Sequence, residues 1–219
     1  MSTTDQIMIA DDWRESIRKS PLAGQLLTGS DLAASLEKAL LRWDGRQDLW
    51  LFAYGSLIWN PQLDFREMQI GRVYGYHRSF CLWSRINRGT PERPGLVLGL
   101  DHGGSCGGLA YRIPASTVKS QLLQLWQREM LLGSYRPSWV HFRSGSSKTM
   151  ALTFVVDRHC SGYTGPLSDA TMLKALQSAH GRFGSCTDYL TRTMQALSAH
   201  GILDRRLARL YRLMRSAKK

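Results

Sequence analysis

Nothing in this sequence supplies the ligands of a metal centre or the pairs of a disulfide framework. Its four cysteines, Cys81, Cys106, Cys160 and Cys186, stand singly, with no Cys-x-x-Cys pair and no histidine at metal-ligand spacing, so four reduced thiols are expected. The histidines His77, His102, His141, His159, His180 and His200 share no spacing either, and each reads as a surface or core residue. Long apolar runs are missing: none approaches the roughly 20 residues that a membrane-spanning helix needs. Met1 to Asp12 lacks both the basic start and the apolar run of a secretory signal, so a cytoplasmic protein with no membrane association is expected. No internal repeat or low-complexity segment is present.

Acidic residues are also scarce. Seventeen Asp and Glu stand against 29 Lys and Arg, a net charge of +12, which raises the question of an anionic partner. Much of that charge falls in one place: Arg205, Arg206, Arg209, Arg212, Arg215, Lys218 and Lys219, facing the single acid Asp204. A nucleic-acid surface would interleave aromatics with these, and Tyr211 is the only one there, so a solvated basic helix face is expected and no nucleic-acid partner.

What is present is enough apolar material, 43% of 219 residues, for one packed core without a second catalytic domain. The first 48 residues read as a helical appendage, with Ser30 as N-cap ahead of Leu32, Leu36, Leu40 and Trp43. From Leu49 to Lys219 the main domain follows. Short apolar or alternating runs separated by Gly, Pro and Asn predict strands at Leu49 to Ala53, Gln69 to Tyr76, Ser79 to Ser84, Leu96 to Leu100 and Gly107 to Arg112. A helix is predicted from Ser116 to Leu132, then a hairpin of Trp139 to Arg143 and Thr149 to Val156, then helices at Ser168 to His180, Thr187 to Ala199 and Leu203 to Arg215. Strands grouped in the middle with helices at both ends give an α+β class.

Two features carry chemistry. Glu129 follows Val118, Leu122 and Leu125 at intervals of four, three and four, which at about 100° per residue places its carboxylate on the apolar stripe. A carboxylate there must be paired, hydrogen-bonded or used, and burial raises its pKa toward what a general base needs. The competing reading is a structural ion pair with Arg128 or Arg136. The second feature is Tyr54-Gly55-Ser56-Leu57-Ile58-Trp59, where an apolar strand runs into Gly-Ser. Such a strand end can present consecutive backbone N–H groups to an anion, although an ordinary turn has the same composition.

Together with Gly71-Arg72-Val73-Tyr74-Gly75-Tyr76, Arg78-Ser79-Phe80, Arg88-Gly89-Thr90, Pro94-Gly95, Gly107 to Arg112, Arg128-Glu129-Met130 and Thr187-Asp188-Tyr189-Leu190, these segments resemble the ChaC-like γ-glutamylcyclotransferases. The likeness runs in consistent order from about Trp50 to Leu210. It implies a compact fold with a barrel-like sheet and flanking helices, and an enzyme, a carbon–nitrogen lyase specific for glutathione, working without metal or organic cofactor. It further implies that Glu129 is the catalytic base, that Tyr54, Gly55, Ser56 and Leu57 hold the γ-glutamyl group, and that Tyr189, and with less weight Tyr135, line the pocket. Arg85 and Arg88 could offer charge to the glycine carboxylate of glutathione, though an Arg-rich loop is ordinarily solvated. Asn87 stands where many relatives have His, Leu96 where many have Arg, and Cys186 where Asn is common, which bears on substrate preference. The competing readings are another γ-glutamyl peptide or amine as substrate, or a non-enzymatic regulatory protein docking through its basic tail. A monomer is expected.

Overall fold

A computed structural model describes residues 14–216. Lys218 and Lys219 of the basic tail, and the Met1 to Asp12 segment, lie outside the described residues.

Residues 14–18 are helical, and α1 follows at Gly29–Leu40. The N-cap is Thr28 rather than the expected Ser30: its hydroxyl accepts from Asp31 N at 3.1 Å while Asp31 Oδ2 accepts from Thr28 N at 2.9 Å. Ser30 in that role would place Ala33, with no carboxylate, at the third helical position, so only Thr28 completes a reciprocal box. Ile17, Leu22, Leu32 and Leu36 join the same apolar cluster as Leu49, Trp126 and Phe154. The Trp139 indole donates to Ala39 O at 2.8 Å, and Leu27 N to Leu131 O at 3.0 Å.

Five strands form a closed barrel in the order β1, β3, β2, β4, β5. They are β1 Leu49–Ala53, β2 Glu67–Ser84, β3 Gly95–Ile113, β4 Tyr135–Ser144 and β5 Ser147–Val156. Closure comes from a parallel pairing of β1 with β5, Trp50 opposite Ala151 and Leu51 opposite Leu152. The near-continuous apolar run of β1 follows from burial on both faces: Leu49, Leu51 and Ala53 meet the helix-side cluster, whereas Phe52 and Tyr54 pack with Val73, Phe142 and Val155.

The four strands expected between Gln69 and Arg112 are two long ones. Register shifts between Tyr74 and Tyr76 and between Phe80 and Leu82 keep β2 continuous through bulges, and Gly75, at φ 83°, supplies the left-handed residue for the first. Gly103 and Gly104, at φ 99° and 72°, bend β3 opposite it. These glycines look like turns in sequence because the bulge appears only against a paired strand.

Helix α2, Val118–Glu129, follows a short 3-10 turn and buries Val118, Leu122, Leu125 and Trp126. Helices α3, Asp169–Ser178, and α4, Cys186–Ala199, are capped by Ser168 and Ser185, and a two-residue hairpin, β6 His180–Gly181 with β7 Gly184–Ser185, joins them. In α5, Arg205–Ser216, Leu207, Leu210 and Met214 are buried, while Arg205, Arg206, Arg209, Arg212 and Arg215 are exposed. Among the described residues no helix is long and apolar enough to cross a membrane.

Candidate active site

The end of β1 turns sharply. After the buried Tyr54, the chain winds through one 3-10 turn, Ser56–Ile58, in which Ile58 N donates to Gly55 O at 3.0 Å and Asn60 N to Ser56 O at 2.8 Å. The N–H groups of Gly55, Ser56 and Leu57 donate to no acceptor among the described residues. Unused donors at the start of such a turn form an anion-binding concavity. The turn is held from behind: Tyr111 OH donates to Leu57 O at 3.0 Å, and the buried Arg78 guanidinium donates to Tyr54 O and Gly107 O while pairing with Asp204 at 2.6 Å. Arg78 has no role that its sequence neighbours reveal. The clue available is an Arg placed on a strand two residues before the apolar run that starts at Phe80.

Glu129 is the last residue of α2. Val118, Leu122 and Leu125 are buried as the spacing requires, and the Glu129 side chain is 17% exposed. Its partner is Arg128, with Nε 3.0 Å from Oε1, whereas Arg136 pairs with Asp157. The ion pair considered from sequence is therefore present, beside a carboxylate that burial still pushes above the ordinary glutamate range, against the opposing pull of Arg128. A carboxylate at a helix C-terminus also meets the negative end of the helix dipole.

Its charge acts on three tyrosines. Tyr54 OH donates to Phe154 O at 2.8 Å, and Tyr135 OH to Leu98 O at 3.1 Å. Tyr189 OH instead accepts from Leu98 N at 3.4 Å and lies 3.4 Å from where a Cβ on Gly55 would sit. Burial first, and the Glu129 charge among the further causes, raises all three phenols above their ordinary value, so they stay protonated. The three phenols are gathered by two residues: Leu98 bonds Tyr135 and Tyr189, and Phe154 accepts from Tyr54 and packs its ring against that of Tyr135. Tyr54 and Tyr135 commit their protons to backbone carbonyls, whereas Tyr189 OH donates to no acceptor among the described residues and keeps its proton for another.

Leu98 serves two of these phenols because its outer edge carries no strand: β1 pairs with β3 only from Leu109 to Ile113, and β5 meets it at Leu100. Arg88 borders the same space. Its side chain is 8% exposed, with Cζ 5.2 Å from the Tyr189 ring centroid and 5.9 Å from that of Trp59. Burial lowers its pKa from the usual arginine value. Cys186 takes part only structurally: its sulfur accepts from Leu96 N at 3.2 Å and donates to Arg88 O at 3.2 Å. The Cys81 thiol is pushed up to about 12 by burial, which fits an inert core residue. Among the described residues no group of three or more His, Cys, Asp or Glu is placed to hold a metal.

A surface concavity of about 510 Å³, lined by Tyr74, Tyr76, Trp139, His141, Arg143 and Lys148, shares no residue with this cluster. It carries no carboxylate, so proton transfer by a buried acid–base group belongs to the Glu129 cluster.

Comparison with known proteins gives the family. The family model described as ChaC-like protein matches residues 49–217, from the first barrel strand to the end of the basic helix. The glutathione-specific γ-glutamylcyclotransferase of Escherichia coli (strain K12) is 36% identical over 180 residues, covering 82% of this chain and 78% of that one. The human glutathione-specific γ-glutamylcyclotransferase 1 is 33% identical over 151 residues, covering 67% and 68%. Among solved structures, the yeast γ-glutamyl cyclotransferase specific to glutathione superposes with a TM-score of 0.72 at 20% identity, covering 78% of this chain and 97% of that one, a likeness of fold. With the barrel, the Tyr54 to Trp59 turn and Glu129 all inside the matched region, the chain belongs to the ChaC-like protein family.

Proposed function

We propose that this protein is a glutathione-specific γ-glutamylcyclotransferase, converting glutathione to 5-oxoproline and Cys-Gly with Glu129 as base. The observation that carries the reading is a partly buried carboxylate of raised pKa set among three neutral phenols, next to a turn with three unused backbone donors. Relatives at 33% and 36% identity bear that activity in their names.

The N–H groups of Gly55, Ser56 and Leu57 receive the substrate α-carboxylate, and Tyr54 fixes the loop that carries them. This places the α-amine against Glu129, which removes its ammonium proton. The amine nitrogen attacks the γ-carbonyl carbon and closes a five-membered ring, an intramolecular step whose rate depends on holding the substrate folded. Tyr189 donates its free proton as a hydrogen bond to the carbonyl oxygen as charge develops there. The C–N bond to cysteine then breaks as the proton on Glu129 passes to the departing nitrogen; Glu129, again a carboxylate, takes the second proton from the ring nitrogen and hands it to the same amine, so that the lactam keeps one N–H and Cys-Gly leaves as an ammonium. Water takes no part. Tyr135 bounds the pocket.

Residues 1–48 act as a packing appendage, and residues 49–219 form the catalytic unit, a division supported by the start of the family match at Leu49. The protein works in the cytoplasm as a monomer, without cofactor, membrane or nucleic-acid partner. The outward-facing arginines of α5 support the reading of that helix as a solvated basic face.

Product analysis by mass spectrometry, with purified full-length protein and a Glu129→Gln variant on glutathione, tests the assignment. 5-Oxoproline and Cys-Gly are expected from the unaltered protein only. Free glutamate in place of 5-oxoproline, or undiminished turnover by the variant, would overturn it.

A further inference from the structure

Arg88 has more hydrogen-bonding capacity than the protein uses. Among the described residues only Nη1 has acceptors, and both are long: Ser185 O at 3.4 Å and Asp188 Oδ2 at 3.5 Å. Charge-assisted N–H···O bonds run at about 2.7–2.9 Å. Asp188 is more closely engaged by Arg192, whose Nε lies 3.0 Å from Oδ2 and 3.1 Å from Oδ1. The Nε and Nη2 of Arg88 have no acceptor among the described residues. Shielding a guanidinium from water on these terms is costly unless an anion completes it.

The side chain is nonetheless held in place. Arg88 N donates to Ser84 Oγ at 3.0 Å, and the two residues before it are pinned to the β6–β7 hairpin by Arg182 N to Ile86 O and Phe183 N to Asn87 O, both 2.9 Å. Gly184, at φ 98°, leaves room for the guanidinium: a Cβ there would lie 3.3 Å from Nη1. The next residue back adds an unmet acceptor, since Asn87 Oδ1 is buried with no hydrogen-bond partner among the described residues.

Position supplies the rest. The guanidinium lies beside the Tyr189 ring, and the hydroxyl end of that ring faces Gly55 and feels the Glu129 charge. The Tyr189 ring therefore links the two sites, with the guanidinium over it and its hydroxyl at Gly55. Cys-Gly, leaving from the γ-carbonyl, spans about 7 Å when extended, a reach suited to that ring.

We propose that Arg88 is the receptor for the free C-terminal carboxylate of the tripeptide substrate, and so a specificity-determining residue that favours a γ-glutamyl dipeptide over γ-glutamyl amines. This rests on the cyclotransferase reading above. Arg85, on the same loop, has no such placement against Tyr189 and Trp59.

The test compares kcat/KM for glutathione with that for its glycine ethyl ester, in the unaltered protein and in Arg88→Met and Arg88→Lys. Methionine keeps an apolar stem against Tyr189 and Trp59. The unaltered protein should prefer the acid by about 10- to 100-fold, the range for a hydrogen bond to a charged group. Arg88→Met should lose that factor on glutathione, mainly through KM, and little on the ester, so the preference disappears. Arg88→Lys should restore part of it. Equal losses on both substrates would make Arg88 a structural prop and overturn the proposal. So would a lack of acid preference in the unaltered protein, a comparison that needs no variant to fold. Failure of the unaltered protein to release 5-oxoproline from glutathione is a separate result, and it would remove the cyclotransferase reading itself.

Discussion

Replacing each of the three site tyrosines by phenylalanine should separate their roles, because their protons go to different places. In Tyr54→Phe and Tyr135→Phe a backbone carbonyl loses its donor, Phe154 O or Leu98 O. The expected cost is about 1 kcal/mol of stability per bond, with somewhat more if the carbonyl is left dry. For a domain of this size each kcal/mol lowers Tm by roughly 2–4 °C. Turnover should fall only as far as the loop or pocket wall loosens. Tyr189→Phe inverts the pattern. Its bond from Leu98 N is long, 3.4 Å, so the stability cost should lie at the lower end, about 0.5 kcal/mol. The hydroxyl proton it loses is the one free to meet the reacting carbonyl. Losing one such donor typically costs about 10²–10³ in kcat. The assay is steady-state 5-oxoproline formation beside thermal unfolding of each variant. If Tyr54→Phe or Tyr135→Phe lost more kcat than Tyr189→Phe, or if Tyr189→Phe lost stability and turnover in step, the assignment of the free proton would be refuted.

Glu129→Gln should abolish turnover yet stabilise the fold near neutral pH. The folded pKa of Glu129 lies above its unfolded value, so at a pH above both the ionised carboxylate disfavours folding by about 1.4 kcal/mol per unit of difference. Below the ordinary glutamate value both states are protonated and the penalty vanishes, so the gain in Tm should shrink as pH falls toward 4; a pH-independent gain, or a loss at pH 7, would contradict this. For the same reason the acid limb of kcat/KM should fall above the pH range of an ordinary glutamate. Arg78→Met should destabilise by about 3–5 kcal/mol, the cost of leaving a buried ion pair half-made, since it strands Asp204 and frees the carbonyls of Tyr54 and Gly107. Urea unfolding measures this, and a loss below 1 kcal/mol would mean that the turn does not depend on Arg78.

How much of this is legible in the sequence depends on how far apart the cooperating residues lie. Glu129 stands out because helical periodicity is local and a carboxylate on an apolar stripe breaks it. The Tyr54 to Trp59 turn is visible as Gly-Ser after an apolar strand, but its unused donors are a property of the folded backbone. Gly75, Gly103 and Gly104 divide β2 and β3 on paper because glycine marks a turn locally, whereas a bulge is defined only by the strand opposite. Barrel closure joins Trp50 to Ala151, a parallel contact that no periodicity records, and only family resemblance announced it. The Arg88 loop reads as solvated because the rings that bury it, Trp59 and Tyr189, come from a turn and a helix distant in the chain. Thr28 shows a smaller failure: Ser30 was the nearer serine, but capping depends on what stands three residues on.

The Leu98 peptide, which grips Tyr135 by its carbonyl and Tyr189 by its amide, makes the catalytic pocket tolerant of one kind of change and intolerant of another. Main-chain atoms cannot be substituted, so the side chain at position 98 can vary among apolar residues without releasing either phenol. A one-residue deletion at Val97 in β3 is different. Phe80 opposite Leu98 and Leu82 opposite Val97 could not both keep a partner, and a slide of β3 by one residue would turn the amide and carbonyl of position 98 away from both hydroxyls together. Insertions and deletions in this strand pair should therefore inactivate the protein far more often than point changes do.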